Sequence, residues 1–384
     1  MAPNKVLFIS APIGAGHTRA AQAVSDVIID HYPDVETCIC NVFDFFSPQF
    51  GELLLKGYLK ILEYYPQAYG RMYDWGNASG MALYSRDLLS RYLAGRMFKF
   101  IADYQPTVIV CTHATPAGLV AWLVRQGKIN IPAAAVITDY VVHRLWIYRE
   151  IARYYVADIL LRDSMIQQGV EPSSIGITGI PVLPVFTQKL NKQQTRKKLG
   201  LKEDLKTILI MGGGAGVLPM EQILSLCNNL DVSLQLVLVT GKNTTLYDKL
   251  NKLKNTLRRP AHIYGYVDNV YELMAAADIF VSKPGGMSAA EAMATGLPLI
   301  IFRPIPGQEE ANTRFLTKNG VAVCADSLAD LKLILHRLLI NNPEQLGIIS
   351  RQALNMAKPN AAYSIVDDIA KNYFHVKSSK NYTN

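Results

Sequence analysis

Residues 282–312, SKPGGMSAAEAMATGLPLIIFRPIPGQEEAN, hold the densest set of groups able to do chemistry. An apolar run, Ile279-Phe280-Val281, enters a Pro-Gly-Gly turn with Lys283 before it and Gly285 and Gly286 inside it. Bare backbone amides opening a helix bind phosphate. Glu291 follows on that helix among Ala289, Ala290, Ala292, Met293 and Ala294, where a carboxylate is costly unless it is paired or binds something. A bidentate bond to ribose hydroxyls is the functional reading; a cap or surface role is the structural one. A second apolar run, Leu299 to Phe302, ends in a Pro/Gly turn bearing Gln308, Glu309, Glu310 and Asn312, with Gln308 and Glu309 placed as sugar-hydroxyl ligands. Two strand-end loops of this kind suit a ligand with both a phosphate and a sugar, so the segment reads as a nucleotide-sugar pocket.

Such loops need a sheet edge to hold them, and the chain repeats the necessary pattern twice. Lys5–Ser10 leads into Gly14-Ala-Gly16-His17 and a helix over Arg19 to Asp30; Thr207–Met211 leads into Gly212–Gly216 and a helix from about Pro219. Strand, glycine loop and helix is the usual opening of a doubly wound α/β domain. Further strands are expected at 108–111, 134–138, 235–240 and 279–282. Gly213 and Gly214 would let the backbone approach a pyrophosphate, although glycine here also serves tight strand–helix packing. Lys242 and Asn243, at the next strand end, could add donors to the phosphates. Val267, in Gly265–Asn269, would lie beside the nucleobase or form an ordinary turn. The expected fold class is α/β, two doubly wound Rossmann-like domains facing across a cleft. The boundaries are 1–183, 184–360 and a last helix with tail at 361–384, with the linker near Pro181–Phe186.

The bulk properties agree with two cores: 384 residues, half of them hydrophobic and 18% charged. The apolar run after Lys5 is too short for a signal-peptide core, and no uninterrupted apolar segment reaches membrane-spanning length. Five cysteines without CxxC spacing read as buried thiols in a reducing, cytoplasmic setting. The net charge of +8 and pI of about 9.1 call for an anionic partner. The basic residues are scattered apart from Arg196-Lys197-Lys198 and do not interleave with aromatics. A phosphorylated substrate or anionic lipid surface therefore fits better than nucleic acid.

KPGGMSAAEA, PIPGQEEAN and the N-terminal PIGAGH resemble the inverting lipid glycosyltransferases of the GT-B fold, family 28 type. The similar subgroup is that of the monogalactosyldiacylglycerol synthases and the bacterial processive diacylglycerol glucosyltransferases. The likeness spans nearly the whole chain, including Thr138-Asp139-Tyr140 with His143 and Trp146, and Tyr58–Tyr73 on the acceptor side. Ala290 departs from it where relatives often carry serine. The resemblance implies a UDP-glucose or UDP-galactose donor held by Gly213, Gly214, Lys242, Asn243, Val267, Lys283, Gly285, Gly286, Met287, Ser288, Glu291, Gln308 and Glu309. It also implies a diacylglycerol acceptor and membrane surface near Gly16, Tyr58, Tyr65, Tyr69, His143 and Trp146. The product would be a membrane glycolipid made on the inner face of the cell membrane.

Inverting transfer needs one base for the acceptor hydroxyl and a way to stabilise the departing diphosphate. His17, at a helix N-terminus that disfavours the imidazolium, is the expected base. Asp139 is the rival base or the group that orients His17, and His143 is a third candidate. No Asp-x-Asp occurs, so no tightly bound metal is expected, and leaving-group charge falls to loop amides, the helix dipole and Lys242 or Lys283. Retaining relatives carry a second glutamate eight positions beyond the first; Leu299 stands there, which favours inversion. Residues 52–63, ELLLKGYLKILE, fit either a core helix or an interfacial one, and the resemblance favours the second. The alternatives are a transferase to a polyprenyl-linked peptidoglycan precursor, a nucleotide-sugar epimerase and a non-catalytic sensor. A dinucleotide dehydrogenase fits poorly, since the first loop lacks the third glycine of GxGxxG.

Overall fold

A computed structural model describes residues 3–12, 14–45, 57, 67, 94–213 and 218–375. Gly214, Tyr58, Tyr65, Tyr69 and all but one residue of the expected 52–63 helix lie outside the described residues. The chain divides into two compact units: Met1–Pro184 with Pro306–Gln308 and Lys358–Asn384, and Val185–Ile305 with Glu309–Ala357.

The first unit is built on a six-stranded sheet of order β2-β1-β3-β4-β5-β6. Its strands are β1 (Lys5–Ser10), β2 (Glu36–Asn41), β3 (Val108–Cys111), β4 (Ala133–Val136), β5 (Arg153–Val156) and β6 (Ile175–Ile177). All pairs are parallel, with Val6 opposite Val108 and Ile109 opposite Ala133. Parallel neighbours need crossovers that cover both faces, which is why β1, β3 and β4 are continuous apolar runs without a polar face. The order reverses between β1 and β3, and ligands of open parallel sheets bind at such a reversal, outside the strands' carboxyl ends.

The second unit has order β12-β11-β10-β7-β8-β9, formed by β7 (Lys206–Met211), β8 (Leu234–Val239), β9 (Ala261–Tyr264), β10 (Ile279–Ser282), β11 (Leu299–Phe302) and β12 (Ala322–Ala325). It too is wholly parallel, and its reversal falls between β7 and β10. Both units are thus Rossmann-like.

The apolar face of 361–374 has a definite home. The helix Ala361–Tyr373 lays Ala362, Ile365, Val366 and Ile369 on Val24, Val27 and Ile28 of the helix Gly16–His31, inside the first unit's core. Asp368 then accepts from Arg153 at 2.8 and 2.7 Å and from the Tyr155 hydroxyl at 2.8 Å, tying that helix to β5.

The Arg196-Lys197-Lys198 cluster is partly structural. Arg196 is buried, donates to Asp278 at 2.6 Å and to the carbonyls of Ala276 and Glu203, and shares Asp278 with Lys192 at 2.8 Å. Lys198 pairs with Glu272 at 2.5 Å. These cations hold the helix Lys192–Lys198 against the start of β10 and leave less charge for a partner than the sequence suggests.

Candidate functional site

Each sheet's reversal gathers a separate group of the expected residues. In the first unit the helix after β1 spans Gly16–His31, starting three residues earlier than the sequence pattern indicates, so His17 lies in its first turn. β4 ends at Val136, so Thr138 and Asp139 fall in the loop at its carboxyl end. His17 Nδ1 is 2.9 Å from the Thr112 carbonyl oxygen, just past β3, and 2.8 Å from Thr138 Oγ1. A carbonyl only accepts, which assigns the hydrogen to Nδ1, with the Thr138 hydroxyl oxygen sharing it. The tautomer so fixed leaves a lone pair on Nε2.

The electrostatics keep that lone pair available. Burial pushes the His17 pKa below its ordinary value of 6.5, while the Asp139 charge and the Thr112 carbonyl pull upward without cancelling it. Asp139 itself is buried. His143 is also buried; its Nδ1 accepts from the Leu145 amide at 3.1 Å and caps the short turn Arg144–Trp146. The cap occupies His143 Nδ1, so that nitrogen is no proton acceptor for a substrate, and Trp146 in the turn is buried.

One residue of this group escaped the sequence reading. His113, directly after Thr112, lies with its ring centroid 4.7 Å from that of His17 at an interplanar angle of 83°. Its Nδ1 accepts from the Thr115 amide at 3.1 Å, capping the helix Ala114–Arg125. Burial, and then the neighbouring His17, hold its pKa well below 6.5, so its ring is neutral. The available signal was positional: a histidine at the end of the strand paired with the one that leads into His17.

In the second unit the expected donor residues, apart from Gly214 outside the described residues and Gln308 in the first unit, lie at the carboxyl edge of one sheet. Gly213 follows β7 with φ +73°, a conformation that side chains rarely adopt. The helix Gly286–Ala294 starts at the end of β10 with Gly285 as its N-cap and no side-chain cap. The first-turn amides of Gly286, Met287 and Ser288 thus keep the polarity that suits a phosphate. Ser282 Oγ donates to the Met211 carbonyl at 2.9 Å, fastening β10 to β7 at the reversal. Buried Asn312 donates to the Pro284 carbonyl at 3.0 Å and fixes the Pro-Gly-Gly turn. Glu291, 2% exposed, lies one turn into the same helix.

Three of the expected donor contacts have other work. Glu309 Oε1 is 3.3 Å from Lys283 Nζ and its Oε2 accepts from the Ile305 amide at 2.9 Å, so it holds the lysine rather than projecting alone. Asn243 Oδ1 accepts from the Leu246 amide at 2.9 Å and caps the helix Thr244–Lys254. Lys242, exposed after β8, lies 6.0 Å from the Tyr266 ring. Val267 is half-buried in the turn after β9, and Gln308 opens the helix Gln308–Lys318. Among the described residues no group of three or more His, Cys, Asp or Glu could hold a metal ion, and no helix is long and apolar enough to cross a membrane.

Two Rossmann-like units, each with its loops at a switch point, define the GT-B class. Solved structures agree on the fold. The chain is similar to Acinetobacter baumannii MurG at TM-score 0.62 and 15% identity, over 96% of this chain and all of that one. It is similar to the UDP-bound MnaA of S. aureus at TM-score 0.63 and 12% identity, over 99% and 100%. Sequence comparison is narrower. The profile of monogalactosyldiacylglycerol (MGDG) synthase matches residues 17–182, and that of the glycosyltransferase family 28 C-terminal domain matches 207–364. The processive diacylglycerol beta-glucosyltransferase of Bacillus pumilus (strain SAFR-032) is 30% identical over 99% of this chain and 98% of its own. That of Bacillus subtilis (strain 168) is 29% identical over 96% and 95%. The chain belongs to this family of MGDG-synthase-like, family 28 glycosyltransferases.

Proposed function

We propose that the protein transfers a hexose from a UDP-sugar to the free hydroxyl of diacylglycerol with inversion, forming a β-glycosyl diacylglycerol. Glucose is the sugar that the relatives' name favours over galactose. The observation that carries the mechanism is the His17 ring held through Nδ1, which leaves Nε2 to accept a proton, at the reversal of the unit that matches the MGDG-synthase profile. The acceptor oxygen attacks C1 of the sugar and its proton passes to His17 Nε2. The bond from C1 to the β-phosphate oxygen breaks, and UDP leaves with the electron pair. Such a base contributes about 10²–10⁴-fold.

The second unit holds the donor. The diphosphate rests on the amides of Gly213 and of Gly286 to Ser288, with Lys283 beside it, where the developing charge is stabilised without a metal. Glu291 accepts from the ribose hydroxyls, and Gln308 reaches the sugar. Glu309 acts through Lys283, keeping the ammonium directed at the turn. Asp139 supports the imidazolium that forms on His17. The acceptor lies in a membrane, so the protein works as a peripheral protein, on the inner face where UDP-sugars are made.

Product analysis tests this reading. Purified protein with diacylglycerol vesicles and each UDP-sugar in turn is expected to release UDP and yield β-glucosyl diacylglycerol from UDP-glucose. An epimerised UDP-sugar formed without lipid, or no UDP release with lipid, would overturn it.

A further inference from the structure

His113 has two separate jobs visible in its contacts. Its Nδ1 caps the helix Ala114–Arg125 through the Thr115 amide, and its ring stands edge-to-face on His17. The ring also lies 6.4 Å from that of Trp146, so His113 touches both His17 and a buried aromatic. The helix that His113 caps is closely packed. Gly118, in its second turn, is packed by the Tyr148 side chain, and Tyr148 is fixed through its own amide and carbonyl to the Tyr154 hydroxyl, both at 2.9 Å. Thr112 and Thr138 hold His17 only at Nδ1, about which the ring can still tilt. The neutral face or edge of His113 closes that remaining freedom.

We propose that His113 is a positioning residue for His17, its ring packing against the imidazole so that Nε2 is held toward the acceptor oxygen. This rests on His17 as the base. The ring's shape does the work, and its nitrogens serve only the helix cap. A misplacement of about 1 Å at a reacting group costs up to about 10²-fold, so the effect falls on turnover rather than on donor affinity.

The two jobs separate by substitution. Asparagine is a strong N-cap without a ring; phenylalanine keeps a neutral ring without a cap. His113→Asn is expected to leave the melting temperature near that of the parent, keep KM for the UDP-sugar and lower kcat by about tenfold or more. His113→Phe is expected to melt lower but keep kcat within about threefold of the parent. The proposal is overturned by parental kcat in His113→Asn, or by a kcat in His113→Phe as low as in His113→Asn. His17→Ala, measured alongside, keeps the two readings apart. Retained turnover there sinks the base assignment; a collapse there with parental kcat in His113→Asn sinks only the role of His113.

Discussion

At the scale of single residues, the proposed role of His17 ties activity to its protonation state. Its pKa is lowered from 6.5 by burial, and as the proposed base it must be neutral to act. The sign follows: kcat/KM is lost as pH falls through the lowered pKa and is flat above it, so its acidic limb lies below pH 6.5. Asp139 supplies the main opposing, upward influence. Asp139→Asn removes it, and the limb is expected to move to still lower pH, read from kcat/KM profiles of the two proteins; a limb moving upward would show that Asp139 does not act on His17 by charge. His113, the other titratable ring against His17, is held neutral and does not alter that sign. Glu291 offers the matching test for the donor. A hydrogen bond to a charged group is worth about 1.5–3 kcal/mol, so Glu291→Gln is expected to weaken UDP binding about 10- to 100-fold by calorimetry. Unchanged affinity would remove Glu291 from the donor site.

Elements place these residues, and most of that placement is legible in the sequence. Apolar runs such as Val6–Ile9 and Ile208–Ile210, each followed by glycines and a helix, have few alternatives to a buried parallel strand at a switch point. What pattern did not carry was partnership at long range. The 361–374 stripe announces a buried helix face, but its acceptor is set by Arg153 and Asp368, 215 positions apart. His113 has no motif around it; only the pairing of β3 with β1 brings it to His17. Asn243 and the Arg196 cluster were spent on a cap and on Asp278, outcomes that depend on neighbours folded against them. The Asp278 cluster is itself testable. Burial pushes the Asp278 carboxyl up, and Lys192, the Thr207 amide and Arg196 together pull it below its ordinary value. Asp278→Ala would leave the buried Arg196 guanidinium without its counter-charge, a loss of about 3–5 kcal/mol. Lys192→Ala, at a half-exposed partner, is expected to cost under about 1 kcal/mol. Urea unfolding of both variants checks the ranking, and equal midpoints would mean that Arg196 finds another partner.

For the whole molecule the proposed acceptor, dissolved in a bilayer, must be reached by a chain in which no described helix is long and apolar enough to cross one. The net charge of +8 would supply a long-range attraction to the proposed anionic lipid surface, near which a basic residue is worth about 1 kcal/mol. Lys192, Arg196 and Lys198 are already paired with Asp278 and Glu272, so the attraction must come from cations elsewhere. Charge acting across water is screened over about 10 Å at 0.1 M salt and about 3 Å at 1 M, whereas apolar side chains buried among lipid tails are indifferent to such screening. Cosedimentation with vesicles separates the two contributions. Binding is expected to be stronger to anionic than to zwitterionic vesicles at about 0.1 M salt, and to fall toward the zwitterionic level at about 1 M. Equal binding to both compositions, unmoved by salt, would assign membrane capture to apolar insertion and leave the surplus charge with no part in it.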